Sequence, residues 1–205
     1  MELFSIDLSL RSSGTAYFKN GVLEDFCLIC RDEDAEELVI ANTKDILEFI
    51  SNKQLTGTPL VVIEGLSFNS NSGAKDVIAG QFWYLRCELV KLYPNVKIVI
   101  VPVKSWRSPL FNKEENKILR EAAKDYKANK LPVKGLKGEA RKEAIANNQA
   151  YEIKASIKEA TWKKLDPEKQ KRILDYIEKN SYNQTSKYDI TDSLLMGEFY
   201  LRSKK

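Results

Sequence analysis

The sequence predicts an α/β protein: a mixed five-stranded sheet flanked by helices. Three observations lead there. The N-terminal stretch alternates apolar and polar residues; two later runs, Leu60-Val61-Val62-Ile63 and Lys97 to Val101, are apolar without alternation; and helical spacing fills the segments before and between those runs. Alternation suits antiparallel strands with unlike faces, whereas unbroken apolar runs suit parallel strands covered on both faces. A hairpin feeding helix-crossed parallel strands is an α/β pattern.

In order, Leu3 to Phe18 should form two strands turning near Ser12 to Gly14. Asn20-Gly21 is a strong two-residue hairpin signal, with a third strand from Val22 to Ile29. Residues 34–52 read as a helix burying Leu38, Ile46, Leu47 and Ile50. Thr58-Pro59 introduces the fourth strand. Residues 74–92 are the second helix, since Val77, Ile78, Phe82, Leu85, Leu89 and Leu92 recur at helical spacing; Pro94 ends it, and a buried fifth strand follows. Residues 112–180 are Lys-rich and helical in propensity, with a break at Leu131-Pro132 and a helix start at Asp166-Pro167. The last helix, about 187–203, turns Ile190, Leu194, Leu195 and Phe199 inward. Residues 1–205 are read as a single domain, with a helical basic insertion within 108–186.

Composition narrows the chemistry. At 43% hydrophobic and 30% charged residues, the 205-residue chain fits a globular protein rather than a disordered or fibrous one. No apolar run approaches the roughly 20 residues that cross a bilayer, so no membrane association is expected. The start, MELFSIDLSL, lacks a basic n-region and a cleavage site, so an intracellular, cytoplasmic protein is expected. With no histidine, Ser-His-Asp and Cys-His triads are excluded, leaving carboxylates and lysines. Cys27 and Cys30 lie in an apolar strand, DFCLIC, and read as core rather than as zinc or redox ligands. Net charge is +4, but unevenly spread: residues 1–111 carry 11 basic and 14 acidic side chains, residues 112–187 carry 19 and 12. A polyanion is a plausible partner for that basic block; a solvated Lys-rich surface is the alternative.

Four acids stand where packing alone would not put them. Asp7 interrupts an apolar strand, Glu64 ends VVIE, and Asp189 and Asp192 lie three apart on one side of the last helix. Each has a plain reading: Asp7 could pair with Arg11, Glu64 could begin a solvated loop, and the other two suit a helix N-terminus. Together they suggest more. The carboxyl ends of central strands gather ligands in open α/β sheets. Clustered carboxylates are costly unless a cation compensates them. Hard oxygens favour Mg²⁺ or Mn²⁺, and two such ions about 4 Å apart can drive phosphodiester hydrolysis without histidine.

The segments SIDLSLRSSGTAYF, VVIEGLSFNSNSGAKDVIAGQFWYLRCELV, VKIVIVPVKSWR and YDITDSLLMGEFYL, in this order, resemble the RuvC family of Holliday junction resolvases, especially its phage-type and organellar relatives. The resemblance implies an RNase H-like fold and a metal-dependent endonuclease acting on four-way DNA junctions. It makes Asp7, Glu64, Asp189 and Asp192 the catalytic carboxylates, holding two Mg²⁺ ions for which Mn²⁺ substitutes. More loosely, KGLKGEARKEAI matches a family segment that would set Lys142 at the scissile phosphate. Gly65, Ser67, Phe68 and Asn69, together with Lys104 and Arg107, become candidate DNA contacts, with Phe68 stacking on a base or packing on its own loop. The helix over 74–92 would pair with its copy in a homodimer through Phe82, Trp83 and Leu85. The chain departs from the family in its first-strand D-L-S and in extra sequence at roughly 108–133 and 150–180.

Three rivals differ in kind. Sugar kinases and actin-like ATPases share an Asp-bearing hairpin but need a second domain and phosphate loop, so no nucleotide cofactor is expected. An RNase H or a flap or branched-DNA nuclease would use a similar acid set. A non-catalytic junction-binding protein would not need all four acids.

Overall fold

A computed structural model describes residues 1–32, 34–66, 75–128 and 149–204. Its sheet comprises β1 (Glu2–Asp7), β2 (Ser12–Lys19), β3 (Val22–Cys30), β4 (Leu60–Glu64) and β5 (Lys97–Val101), ordered β3-β2-β1-β4-β5. β2 runs antiparallel to β1 and β3, while β1, β4 and β5 are mutually parallel neighbours. The expected mixed five-stranded α/β sheet is therefore present.

The Asn20-Gly21 turn forms as expected, both residues taking positive φ (52° and 84°), a two-residue hairpin conformation. The first turn differs from expectation. Ser12 to Gly14 belong to β2, and the chain reverses over residues 8–11. Serines close this reversal: Ser13 Oγ donates to the Ser9 carbonyl at 2.8 Å, and the Ser12 amide donates to Ser9 Oγ at 3.3 Å. Side-chain hydroxyls here take the place of a Gly-rich turn.

Helices cover both faces of the sheet. On one face, α1 (Ala35–Ser51) and α2 (Lys75–Leu92) bury Ile46, Ile50, Phe82, Leu85 and Leu89 against Phe4, Ile6, Tyr17, Val61 and Ile63. The other face carries α3 (Val103–Arg107), α5 (Gln149–Trp162), α6 (Pro167–Lys179) and α7 (Lys187–Arg202), while α4 (Lys113–Ala128) packs against α5. There Trp106, Trp162, Ile173, Ile177, Ile190 and Leu194 pack on Leu3, Ala16, Phe18 and Val62. Asp166 caps α6 as expected, accepting from the Glu168 amide at 2.9 Å. The break expected at Leu131-Pro132 lies outside the described residues.

Two strand expectations need correction. β5 is an edge strand, with Val101 buried but Ile100 exposed, because no strand follows it in the sheet. Cys30 is exposed rather than core: it shares a face with buried Phe26 and Leu28 but is the last residue of an edge strand. Among the described residues no helix is long and apolar enough to cross a membrane.

Candidate functional site

Strand parity brings the first two acids together. Leu3 and Ser5 point to the α7 face, where Ser5 Oγ donates to the Ser193 carbonyl at 2.7 Å, while Phe4 and Ile6 point to the α1/α2 face. Two further residues along β1 return the chain to the α7 side at Asp7. β4 runs parallel in the register Leu3↔Leu60 and Ser5↔Val62, so the same alternation brings Glu64 to the same end and face. Both acids terminate central strands at their carboxyl ends, where strand order leaves room for ligands.

Small residues let α7 bring the other two. A methyl group at Gly14, which pairs with Asp7 across the β1/β2 ladder, would fall on the Asp189 carbonyl; one at Gly197 would fall on Phe18 and Ser5. Without those side chains the helix lies directly on the sheet. Asp189 and Asp192 then enter from one side of its first turns, and Asp192 is only 6% exposed. Ser12 Oγ donates to Asp189 Oδ2 at 2.6 Å, tying β2 to the same carboxylate.

The acids act on one another. Burial pushes the Asp7 carboxyl well above its usual range, and the charges of Glu64, Asp192 and Asp189 push it further. Burial raises Glu64 to about 7 against the attraction of Arg107, with Asp192 adding to the rise and the Trp106 indole opposing it. Asp192 is raised as well, by burial, against Arg107 and Lys158. The opposing cations are close: Arg107 Nη2 lies 2.8 Å from Asp192 Oδ2, and Lys158 Nζ lies 3.1 Å from Asp189 Oδ1. Trp106 Nε1 donates to Glu64 Oε2 at 3.1 Å.

The remaining candidates divide. Arg107, expected at DNA, is turned inward onto Asp192, with its guanidinium 4.7 Å from the Trp106 ring centroid. Lys104 is exposed on α3, three residues before it. Gly65 follows Glu64 directly, its amide donating to the Val101 carbonyl at 2.9 Å. Ser67, Phe68, Asn69 and Lys142 lie outside the described residues. Of the interface candidates, Phe82 and Leu85 are corrected: they are 6% and 0% exposed, because their side of α2 packs on the sheet. Trp83, at 58%, faces outward. Arg11, the alternative partner for Asp7, pairs with Asp32 instead. Sequence reasoning missed Ser12, Trp106 and Lys158. Ser12 reads as a turn residue, Trp106 reads as an apolar core residue, and nothing marks Lys158 among so many lysines.

Among the described residues, no three acids gather closely enough to grasp one metal ion. The expected sharing of bound cations by all four acids is not shown: the charges of Glu64, Asp192 and Asp189 act on Asp7, while Asp192 and Asp189 are held by Arg107 and Lys158. The donor set still fits a hard divalent cation. Burial is the first cause of the raised values of Asp7, Glu64 and Asp192, with neighbouring acids adding to it, and a hard divalent cation would stabilise the ionised oxygens that burial disfavours.

No protein-family model matches the sequence, and no curated protein is similar to it. Among solved structures, the chain is similar to Thermus thermophilus RuvC in complex with a Holliday junction substrate, at 14% identity and a TM-score of 0.45. It is also similar to a Thermus thermophilus RuvC structure, at 16% identity and a TM-score of 0.40. Each match covers 77% of this chain and 96% of the other.

Proposed function

We propose that this chain is a Mg²⁺-dependent endonuclease that resolves four-way DNA junctions by paired symmetric nicks. One observation carries the nuclease reading: half-buried Asp7 and Glu64, at the carboxyl ends of two central strands, and buried Asp192 on α7 repel one another. The order of sequence motifs, ending in D-x-x-D-S-L-L, favours the junction-resolving branch over RNase H.

Asp7, Glu64, Asp189 and Asp192 would hold two Mg²⁺ ions, with Mn²⁺ as a substitute. Bound there, the ions would supply water activation and stabilisation of the leaving oxygen. The protein orients the carboxylates: Ser12 fixes one oxygen of Asp189, and the Trp106 indole fixes one oxygen of Glu64. Gly65 and the exposed Lys104 flank this end of the sheet and, with Ser67, Phe68, Asn69 and Lys142, form the proposed DNA surface, Arg107 being held inward on Asp192. A homodimer through the outer side of α2, with Trp83 in its interface, would supply the second nick by two-fold symmetry. The products would carry 5′-phosphate and 3′-hydroxyl ends, and the protein would act in the cytoplasm.

The test compares wild type with Asp7→Asn on a synthetic four-way junction, a linear duplex and an RNA–DNA hybrid, in Mg²⁺ or EDTA. Junction cleavage that requires Mg²⁺ and Asp7 is expected. Cutting of the hybrid alone would move the reading to RNase H, and equal cutting by the variant would remove the site assignment. The Arg107–Asp192 and Lys158–Asp189 pairs favour a second reading, a non-catalytic junction binder whose acids are already neutralised from within. Salt-sensitive junction binding without cleavage at any Mg²⁺ or Mn²⁺ concentration would support it.

A further inference from the structure

We infer that Lys158 is a displaceable internal counter-ion: its ammonium holds Asp189 in the metal-free protein and must leave before a divalent cation is bound. The inference rests on the proposed metal-binding role of the four acids. Both oxygens of Asp189 are engaged, Oδ2 by the neutral Ser12 hydroxyl at 2.6 Å and Oδ1 by the Lys158 ammonium at 3.1 Å, so a metal ion approaching Oδ1 meets a like charge already there. The ammonium also acts beyond Asp189, since its charge is felt at Asp7, Glu64 and Asp192. It sits where a bound cation would compete with it.

Of the two internal cations, Lys158 is the one built to move. Arg107 lies over the ring of the fully buried Trp106, which itself donates to Glu64, so its withdrawal would disturb that contact as well. The Lys158 side chain is 31% exposed and ends in a single point charge on a flexible stem. Its helix is anchored without it. Glu159 accepts from the Tyr188 hydroxyl at 2.9 Å and pairs with Lys187 at 3.2 Å, and Trp162 is buried in the core. The lysine can therefore swing into solvent while α5 stays on α7. Through this residue the Lys-rich helical segment sets how tightly the site takes a cation.

The experiment measures Mn²⁺ affinity by titration calorimetry on the full chain, which separates binding from cleavage. The variants are Lys158→Met, Lys158→Gln and Lys158→Arg, with Lys164→Met as control because Lys164 pairs with Glu115 instead. Removing the ammonium should tighten Mn²⁺ binding three- to tenfold, about 0.7–1.4 kcal/mol. Lys158→Arg and the control should stay at the wild-type value. Wild-type-like or weaker binding by both Lys158→Met and Lys158→Gln, with wild type still binding Mn²⁺, would overturn the inference alone. No Mn²⁺ binding by wild type or by any variant would overturn the metal reading and this inference with it.

Discussion

Replacing Glu64 by glutamine should make the metal-free protein more stable at pH 8, although Glu64 is proposed as a catalytic residue. Its folded value of about 7 lies above the ordinary 4.5. Below pH 4.5 both folded and unfolded chains hold the proton, and Glu64 contributes no difference. Between 4.5 and 7 the unfolded chain releases it first, so stability falls as pH rises, and above 7 the full loss is present. At 1.36 kcal/mol per pH unit the separation amounts to about 3 kcal/mol, an upper bound because the carboxylate is partly exposed and screened. Glutamine keeps an oxygen for the Trp106 indole and removes the charge. A gain of about 1–3 kcal/mol at pH 8 in EDTA is expected, roughly 2–4 °C in Tm per kcal/mol, shrinking toward zero at pH 4.5. Urea denaturation at both pH values measures it. Added Mg²⁺ should stabilise wild type more than the variant, because binding to the folded state alone adds to its stability. A variant less stable than wild type at pH 8, or one shifted equally at both pH values, would refute the claim that this cluster is electrostatically strained.

Further expectations follow from single contacts. Gly14→Ala should destabilise by about 1–3 kcal/mol in urea, because its methyl group meets backbone rather than a side chain that can turn aside. Trp106→Phe keeps most of the packing but removes the donor to Glu64, which opposes the rise in that acid's pKa. The acidic limb of the cleavage pH profile should move to higher pH. Trp83→Glu changes an exposed position, so stability should stay within about 0.5 kcal/mol; if the proposed dimer forms there, light scattering should show monomers. Junction affinity should fall steeply between 50 and 200 mM salt in a binding titration, with one fewer counterion released after Lys104→Ala.

Much of this molecule was legible along the chain because the signals are local. Asn20-Gly21 specified its turn through the ease of positive φ, Asp166-Pro167 specified the start of α6, and the apolar run Leu60 to Ile63 specified a covered parallel strand. Asp7 and Glu64 stood out because each is an acid at the end of an apolar strand, and Asp189 and Asp192 because three residues make nearly one helical turn. The sequence did not distinguish the sides of α2. Phe82, Trp83 and Leu85 are all large and apolar, and only the packed sheet decides that the first and third are core. Gly14 read as a turn residue because its purpose, admitting the Asp189 backbone, involves a partner 175 positions away. Lys158 was indistinguishable from other cations for the same reason, and nothing local marked Arg107 as the partner of Asp192. Which ammonium or guanidinium neutralises which carboxylate depends on distances of about 3 Å between separate elements. Composition can supply a charge, but only the tertiary fold brings it within range of a particular acid and removes the water that would otherwise screen the two.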